Sequence, residues 1–405
     1  MSPKVPFVPS RHGADVEAGR RTGRRLRWMI RGDAEPDPER WRALGLGLMQ
    51  GDPPADRLLE WMYEQGMQQA MPLFQRALDQ GIGALPQAPP PLTAFFTQCE
   101  QHPLWVDDAK LAQGARVFQR MGMTSHYVLR DVALMGGYQA SAFNKTLILT
   151  GALNGGAARR VAETMKWVVA ATATGGMDVG AEGFRSTLHV RLIHAMIRRR
   201  VSRLPEWRIE ELGLPINQTD MAATWLGFSA LLLIGVRAMG VPVTRAEGHA
   251  VMHLWKFICG LMGVDERWLT DDETEARRLL YHMLLAQTPP DRSSAQLGRA
   301  LMNETLSVPY PRFQRLRARF ERMRHLSVTR YFTGSAGMAA LGLPAGILPW
   351  YPLLSAPFTL SWHLAHRLVP GGRARAQRIG RQAHEDLLRL HFAGGREQLR
   401  PLQEV

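Results

Sequence analysis

The sequence predicts an all-α protein, built as a single large helical bundle domain with accessory segments at its N- and C-terminal ends. Apolar residues recur every three or four positions along most of the chain, which is the period of an amphipathic helix. No stretch alternates apolar and polar residues between turn-forming residues, so we predict no sheet. A hydrophobic fraction of 45% over 405 residues excludes wholesale disorder and allows a large core.

Residues 1–35 are rich in arginine, glycine and proline, and we predict that they form a basic flexible arm. Two arginine pairs occur in this arm, but no apolar run of signal-peptide length follows them. We therefore expect no signal peptide and a cytoplasmic protein. The arm is either a solvated tail or a clamp onto acidic phospholipid.

An N-terminal helical cap is predicted over residues 36–90, and the main helical domain over residues 91–330. The proline-rich segment at residues 86–91 is the plainest linker in the chain and separates the two. Within the main domain, three helices precede the centre of the chain. They are predicted over residues 107–122, 124–136 and 138–150.

We predict that the rest of the chain packs around two helices, over residues 157–174 and 184–201. Leucine and methionine recur at intervals of four in the second helix, and His194 lies inside this apolar band. Arg191 and Arg198 lie one turn before and one turn after it. An imidazole can coordinate a transition metal, and guanidinium groups suit the carboxylates of a bound group. The alternative is a core histidine, which is the commoner role of a lone histidine on an apolar face.

Arg160 and Thr164 are four residues apart on the first helix of the pair, VRLIHAMIR lies in the second, and LPINQTDMAATWLGFS follows. Over residues 136–264 this pattern resembles the latex-clearing-protein (rubber oxygenase) and MpaB-type oxygenase family. The likeness is clearest at Arg160, Thr164, His194 and Arg198. It implies an all-helical domain that encloses a pocket for haem b. It also implies that His194 is the proximal iron ligand and that Arg160 and Thr164 line the haem pocket.

Two positions depart from the pattern of rubber oxygenases. Those proteins carry a lysine immediately before the threonine, where this chain has Glu163. They also carry a functional glutamate further upstream, where residues 143–146 read FNKT and contain no acid. Glu163 becomes a candidate distal acid or base, because a buried carboxylate can relay a proton. The alternative is a solvated or salt-bridged glutamate on the outer face of the helix. Arg160 is expected to orient a propionate or polarise bound oxygen, and Thr164 to donate a hydrogen bond.

The resemblance predicts a haem b-dependent oxygenase that combines dioxygen with a small apolar substrate of lipid-like or terpenoid-like character. The alternative belongs to another class: a haem-binding or membrane-surface protein that retains the fold without turnover. The missing lysine and the missing upstream acid favour this alternative. The substrate, the redox partner and the oligomeric state are not specified by the sequence.

Beyond the helix pair, the segment TDMAATWLGFSALLLIGVRAMG is apolar on nearly every side and predicts a central buried helix. The next helix places His249 and His253 four residues apart. No further ligand is evident near them, so a core or haem-edge role is favoured over a separate metal site. Cys99 and Cys259 occur without a CxxC pattern, which argues against a disulfide framework or a zinc site.

Residues 331–405 are predicted to form an apolar hairpin, interrupted by glycine and proline, followed by a basic amphipathic helix. Residues 331–366 contain no Asp, Glu, Lys or Arg, but four prolines disfavour a single transmembrane helix. Two short buried helices, or a hairpin that dips into a membrane interface, are favoured. The hairpin and the basic helix together predict peripheral contact with an anionic membrane. The net charge of +14 comes mainly from arginine, and no nucleic-acid-binding motif accompanies it, so we expect no nucleic acid partner.

Overall fold

The computed structural model describes residues 7–151 and 157–392, and within these ranges the regular elements are helices, without a strand. The prediction of an all-α fold is confirmed. The first ten helices are α1 (Val16–Arg27), α2 (Pro38–Gly47), α3 (Pro53–Gln65), α4 (Met67–Gln80), α5 (Pro90–Glu100), α6 (Asp108–Met121), α7 (Met123–Tyr127), α8 (Met135–Gly137), α9 (Ser141–Leu149) and α10 (Ala157–Ala171). A π-helical segment, Val128–Leu134, joins α7 to α8 without a turn.

The remaining helices complete the bundle. They are α11 (Glu182–Val201), α12 (Ile209–Leu212), α13 (Gln218–Phe228), α14 (Ala230–Ala238), α15 (Arg245–Leu261), α16 (Glu273–Ala286), α17 (Arg292–Glu304), α18 (Gln314–Ala340), α19 (Trp350–Leu368) and α20 (Gly372–His391). Two short 3₁₀ turns, Ile82–Ala84 and Glu266–Trp268, lie in the connections.

The N-terminal segment is more ordered than the sequence suggested. Residues 16–27 form α1, capped by Asp15, whose side chain accepts a hydrogen bond from the N–H of Ala18. Gly19 and Gly23 lie one turn apart against α16: a Cβ on Gly19 would be 2.6 Å from the carbonyl oxygen of Leu284. The prediction of a flexible arm is therefore wrong for α1, because its glycines allow close helix packing. Residues 1–6 lie outside the described ranges.

One large hydrophobic core runs through most of the bundle. It joins residues from the predicted cap, such as Leu58 and Phe74, with Trp225 and Trp255 of the main domain, all of them fully buried. The predicted boundary between a cap at residues 36–90 and the main domain stays a prediction.

The two helices at the centre of the sequence argument, α10 and α11, pack against each other as predicted. A Cβ on Gly183 would lie 2.4 Å from the carbonyl oxygen of Gly176, so the turn between the helices leaves no room for a side chain there. The indole N–H of Trp167 on α10 donates to Thr187 Oγ1 on α11 over 2.9 Å. These contacts hold the two helices in one register.

Residues 218–238 form the stretch, within the described ranges, that is long and apolar enough to span a bilayer, and 61% of its apolar 18-residue window is buried inside the protein. Its burial confirms the predicted central helix. The helix is interrupted at Ser229, which separates α13 from α14.

The apolar segment near the C-terminus forms two helices rather than one; of the two predicted alternatives, the one in which both helices are buried is wrong. The long helix α18 changes direction at Gly334, whose φ of 71° is outside the helical region. After a loop, α19 lies on the surface and buries only Pro352 and His363 completely. The predicted basic helix is α20, and residues 393–405 lie outside the described ranges.

Candidate functional site

A large cavity lies inside the bundle, lined by residues of α10, α11, α13, α14 and the π-helical segment. Its volume is about 2350 Å³, above the range of roughly 300–1,000 Å³ that small-molecule sites usually show. Leu129, Val168, Ile193, Phe228 and Leu231 contribute apolar side chains to its wall. The cavity therefore has room for a large, mostly apolar occupant.

His194 lines this cavity from α11, where α10 and α11 meet. Its ring is partly accessible because it borders the cavity, and its Nδ1 atom is buried without a hydrogen-bond partner. Burial, reinforced by the positive charge of Arg198, lowers the pKa of His194 to about 4. The imidazole is therefore neutral at physiological pH, which is the form that can donate a lone pair to a metal.

Arg160, Glu163 and Thr164 all line the same cavity from α10, as the sequence predicted for Arg160 and Thr164. Thr164 is exposed and Arg160 is half-buried. Glu163 is also half-buried, and its carboxylate accepts a hydrogen bond from Nε of Arg159 over 2.8 Å. Glu163 is thus both a cavity residue and a member of an i, i+4 ion pair.

Arg191 and Arg198 do not face the cavity, and the expectation that they bind the carboxylates of a bound group is wrong. Arg191 makes a bidentate ion pair with Asp52, at 2.7 and 2.8 Å, and also donates to the carbonyl oxygen of Leu261 over 3.1 Å. Arg198 likewise holds Asp56, at 2.7 and 2.9 Å. Their guanidinium groups are engaged by α3, so both arginines join α11 to α3 instead.

On α15, His253 is also engaged structurally. The imidazole of His253 contacts Asp271 Oδ2 through Nδ1, at 2.9 Å, and accepts the N–H of Asp107 through Nε2, at 3.0 Å. In the part of the chain that the structure describes, no group of three or more His, Cys, Asp or Glu side chains converges as a metal site would require. The two cysteines, Cys99 and Cys259, are separately buried with free thiols.

Sequence reasoning missed a buried polar cluster, here called the Arg130 cluster, formed by Arg130, Asp131, Glu304 and His325. Arg130 donates to Asp131 over 2.6 Å and to Glu304 over 2.8 Å, and Asp131 Oδ2 is 2.6 Å from Nδ1 of His325. Both Arg130 and the neighbouring His126 line the cavity. The adjacent charges at positions 130 and 131, inside an otherwise apolar stretch, could have indicated a buried ion pair.

Burial governs protonation in the Arg130 cluster. Burial raises the pKa of Asp131 to about 7, although Arg130 opposes this shift. Burial lowers the pKa of His325 well below its ordinary value, and Arg130 and Arg324 add to the effect. For Glu304, burial acts in the opposite direction, yet Arg130 and a hydrogen bond from His391 lower its pKa to about 2. Glu304 is therefore the permanent counter-charge of Arg130.

The fold and the site together define a class: a helical protein whose large, mostly apolar cavity is lined by a neutral histidine with an unpartnered Nδ1 atom. Residues 120–369 match the family described as ER-bound oxygenase mpaB/B'/Rubber oxygenase, catalytic domain. This match covers more than half of the chain, so the protein belongs to that family, and the resemblance seen in the sequence is confirmed.

Two relatives show how far the likeness extends. The rubber oxygenase of Streptomyces sp. (strain K30) is 26% identical over 252 residues, which are 59% of this chain and 60% of that protein's length. The structure of latex clearing protein LCP in the closed state superposes with a TM-score of 0.61 at 18% identity. That superposition covers 87% of this chain and 94% of the other chain, and it shows a shared fold.

Proposed function

We propose that this protein is a haem b-dependent oxygenase that acts on a small apolar organic substrate, with His194 as the iron ligand. The observation that carries the proposal is the neutral imidazole of His194, whose Nδ1 has no partner and whose ring borders the cavity. Membership in an oxygenase family supports the reaction type, and the apolar cavity wall supports the class of substrate.

The residues of the cavity fit a haem group. A single neutral histidine in an apolar setting is the usual proximal ligand of a b-type haem. The volume of about 2350 Å³ leaves room for a macrocycle and for a second small molecule. Arg160 borders the cavity beside Thr164, and arginine is the side chain best suited to the carboxylates of the haem propionates.

When bound, the haem supplies the chemistry of dioxygen activation. With haem present, His194 would hold the iron, and the apolar residues of the cavity wall would bind the substrate and exclude water. Thr164 donates a hydrogen bond into the cavity through its hydroxyl group. Glu163 accepts or returns a proton at its carboxylate, with Arg159 orienting that carboxylate.

A second candidate is a haem-binding protein without turnover, and two observations favour it. Glu163 occupies the position at which rubber oxygenases carry lysine. Asn144 occupies the region where they carry an upstream glutamate, and its amide donates to the carbonyl oxygen of Tyr138 over 2.7 Å, as a structural residue does. The two candidates differ in oxygen consumption and agree in haem binding.

The first test is haem retention. Protein supplemented with haem and passed through gel filtration should show a Soret band, and His194→Ala should lose it while circular dichroism reports unchanged helical content. His189→Ala is the matched control, because His189 lies on the same helix and does not line the cavity. Absence of a Soret band in the wild type, or loss in His189→Ala alone, would refute the assignment.

The second test separates the two candidates. Oxygen uptake is recorded with an oxygen electrode while apolar alkenes are added to haem-loaded protein. Uptake that requires both the alkene and His194 supports the oxygenase. A Soret band without uptake supports the non-catalytic haem protein.

A further inference from the structure

The first half of α18 exposes an apolar stripe to solvent. Phe313, Leu316, Phe320 and Met323 recur at intervals of three and four, so they share one face, and Phe313 and Leu316 are 80% and 70% exposed. Between residues 313 and 323 only Ala318 is buried, so nothing in the protein covers this stripe, and an uncovered apolar stripe of this kind indicates an interaction surface.

The outer face of α19 is apolar along its whole length. Leu354, Phe358 and Leu368 are 62%, 77% and 85% exposed, and the helix contains no charged residue before Arg367. Arg367 is turned inward, where it donates to Glu247 over 2.8 Å and to the carbonyl oxygen of Pro242. The guanidinium of Arg367 therefore points into the protein, and the solvent-exposed face of α19 carries no charged side chain.

The two faces are contiguous. The ring centroids of Phe320 on α18 and Trp350 at the start of α19 are 6.0 Å apart. We call the exposed apolar face of residues 313–323 and 348–369 the α18–α19 surface. Pro349 and Leu353, at the start of α19, also line the large cavity, so the cavity extends to this surface.

Arginines border the α18–α19 surface. Residues 312–324 contain six arginines and one glutamate, and residues 373–381 of α20, which packs against α19, contain four arginines and no acid. Arg315 and Arg319 on α18, and Arg373, Arg375 and Arg378 on α20, are exposed. An apolar centre with a cationic border matches the chemistry of an anionic bilayer, which offers acyl chains beneath phosphate groups.

We propose that the α18–α19 surface docks the protein onto an anionic phospholipid membrane, with α19 lying in the interface and the arginines on the headgroups. A spanning arrangement does not suit α19, because its other face packs on the protein through Pro352 and His363. A second copy of the chain is a poorer occupant, since pairing like surfaces would bring two sets of arginines together. The docked cavity would receive apolar molecules directly from the membrane.

The test is vesicle binding by the full chain, measured as co-sedimentation with phosphatidylcholine vesicles, with and without phosphatidylglycerol. Binding should require phosphatidylglycerol and should fall as salt is added. Haem plays no part in this assay, so its outcome is independent of the proposed oxygenase function. Equal binding to neutral vesicles, or no binding to either, overturns the proposal.

Two pairs of substitutions locate the surface. Leu354→Ser with Phe358→Ser should weaken binding by about tenfold or more, because exposed side chains no longer enter the bilayer. Arg315→Gln with Arg319→Gln should weaken it by about fivefold per arginine at low salt. The matched controls are Leu104→Ser, an exposed leucine outside the surface, and Arg203→Gln with Arg208→Gln; these should bind as the wild type does.

Sedimentation velocity without vesicles tests the alternative, in which a second copy of the chain covers the α18–α19 surface. The proposal expects the same sedimentation coefficient for the wild type and for Leu354→Ser with Phe358→Ser. A wild-type dimer that this double variant converts to a monomer would assign the surface to self-association and overturn membrane docking.

Discussion

His194 and His325 are both largely enclosed by protein, and burial lowers the pKa of each, yet their surroundings differ in kind. His325 contacts Asp131 at 2.6 Å inside the Arg130 cluster, where the hydrogen-bonding groups satisfy one another. His194 borders the cavity with an Nδ1 atom that has no partner. Burial alone therefore does not mark a binding residue; His194 combines burial with an unpartnered Nδ1 atom and a place on the cavity wall.

The same criterion separates the arginines. Arg130, Arg191 and Arg198 are each held by carboxylates at 2.6 to 2.9 Å and act as internal links between helices. Displacing Asp52 from Arg191, or Glu304 from Arg130, would leave a buried carboxylate without its cation. These three arginines therefore belong to the scaffold, whereas His194 keeps an unpartnered nitrogen atom and borders the cavity.

The largest effect on stability should come from removing a buried charge whose hydrogen bonds are satisfied, such as that of Arg130. Arg130→Met leaves Glu304 and Asp131 buried without their cation, so we expect a loss of about 3–5 kcal/mol in the free energy of unfolding. Urea denaturation followed by circular dichroism measures it. Arg159→Met is the control, because it removes an ion pair that is half exposed and worth less than about 1 kcal/mol. Similar losses in both variants would show that the Arg130 cluster stabilises the fold no more than the Arg159–Glu163 ion pair does.

A smaller effect should appear in the pH dependence of stability. His194 has a pKa of about 4 in the folded protein, against 6.5 for an ordinary histidine, so the unfolded chain binds the extra proton first as the pH falls. Stability from this residue is complete above pH 6.5 and is lost as the pH falls towards 4, by about 3 kcal/mol in all.

The measurement compares unfolding free energies of haem-free protein above pH 6.5 and near pH 4. His194→Ala should lose less stability over this interval than the wild type, because it has no imidazole to protonate at that site. Equal acid sensitivity in the two proteins would mean that the ring reaches solvent freely.

Local features of the molecule were predictable from the sequence. The helices α10 and α11 lie close to the predicted ranges, and Arg160, Thr164 and His194 line one cavity, because helical period and spacing are properties of neighbouring residues. Distant partners were not predictable. Arg191 was placed near His194 by spacing, but its partner Asp52 is 139 residues away in the sequence.

In two segments, α1 and α19, the composition suggested the wrong structure, for opposite physical reasons. In α1, glycines and arginines suggested flexibility, yet Gly19 and Gly23 permit a close helix contact that orders the segment. In α19, the absence of charge suggested burial, yet the outer face is exposed. The composition of a segment shows whether it could pack against other elements. Whether it does so depends on the rest of the chain.

The smallest expected effect concerns Glu163, which both lines the cavity and forms an ion pair with Arg159. Its ion pair with Arg159 spans one turn of an accessible helix face, so Glu163→Gln should change stability by no more than about 0.5 kcal/mol.

If the carboxylate faces the iron, the wild type should show a high-spin spectrum, because carboxylate is a poorer ligand than an amine for ferrous haem. Glu163→Gln should alter that spectrum without loss of haem. Glu163→Lys should shift it towards low spin by supplying a nitrogen donor. A low-spin spectrum that neither substitution changes would assign Glu163 to the scaffold, as a partner of Arg159 alone.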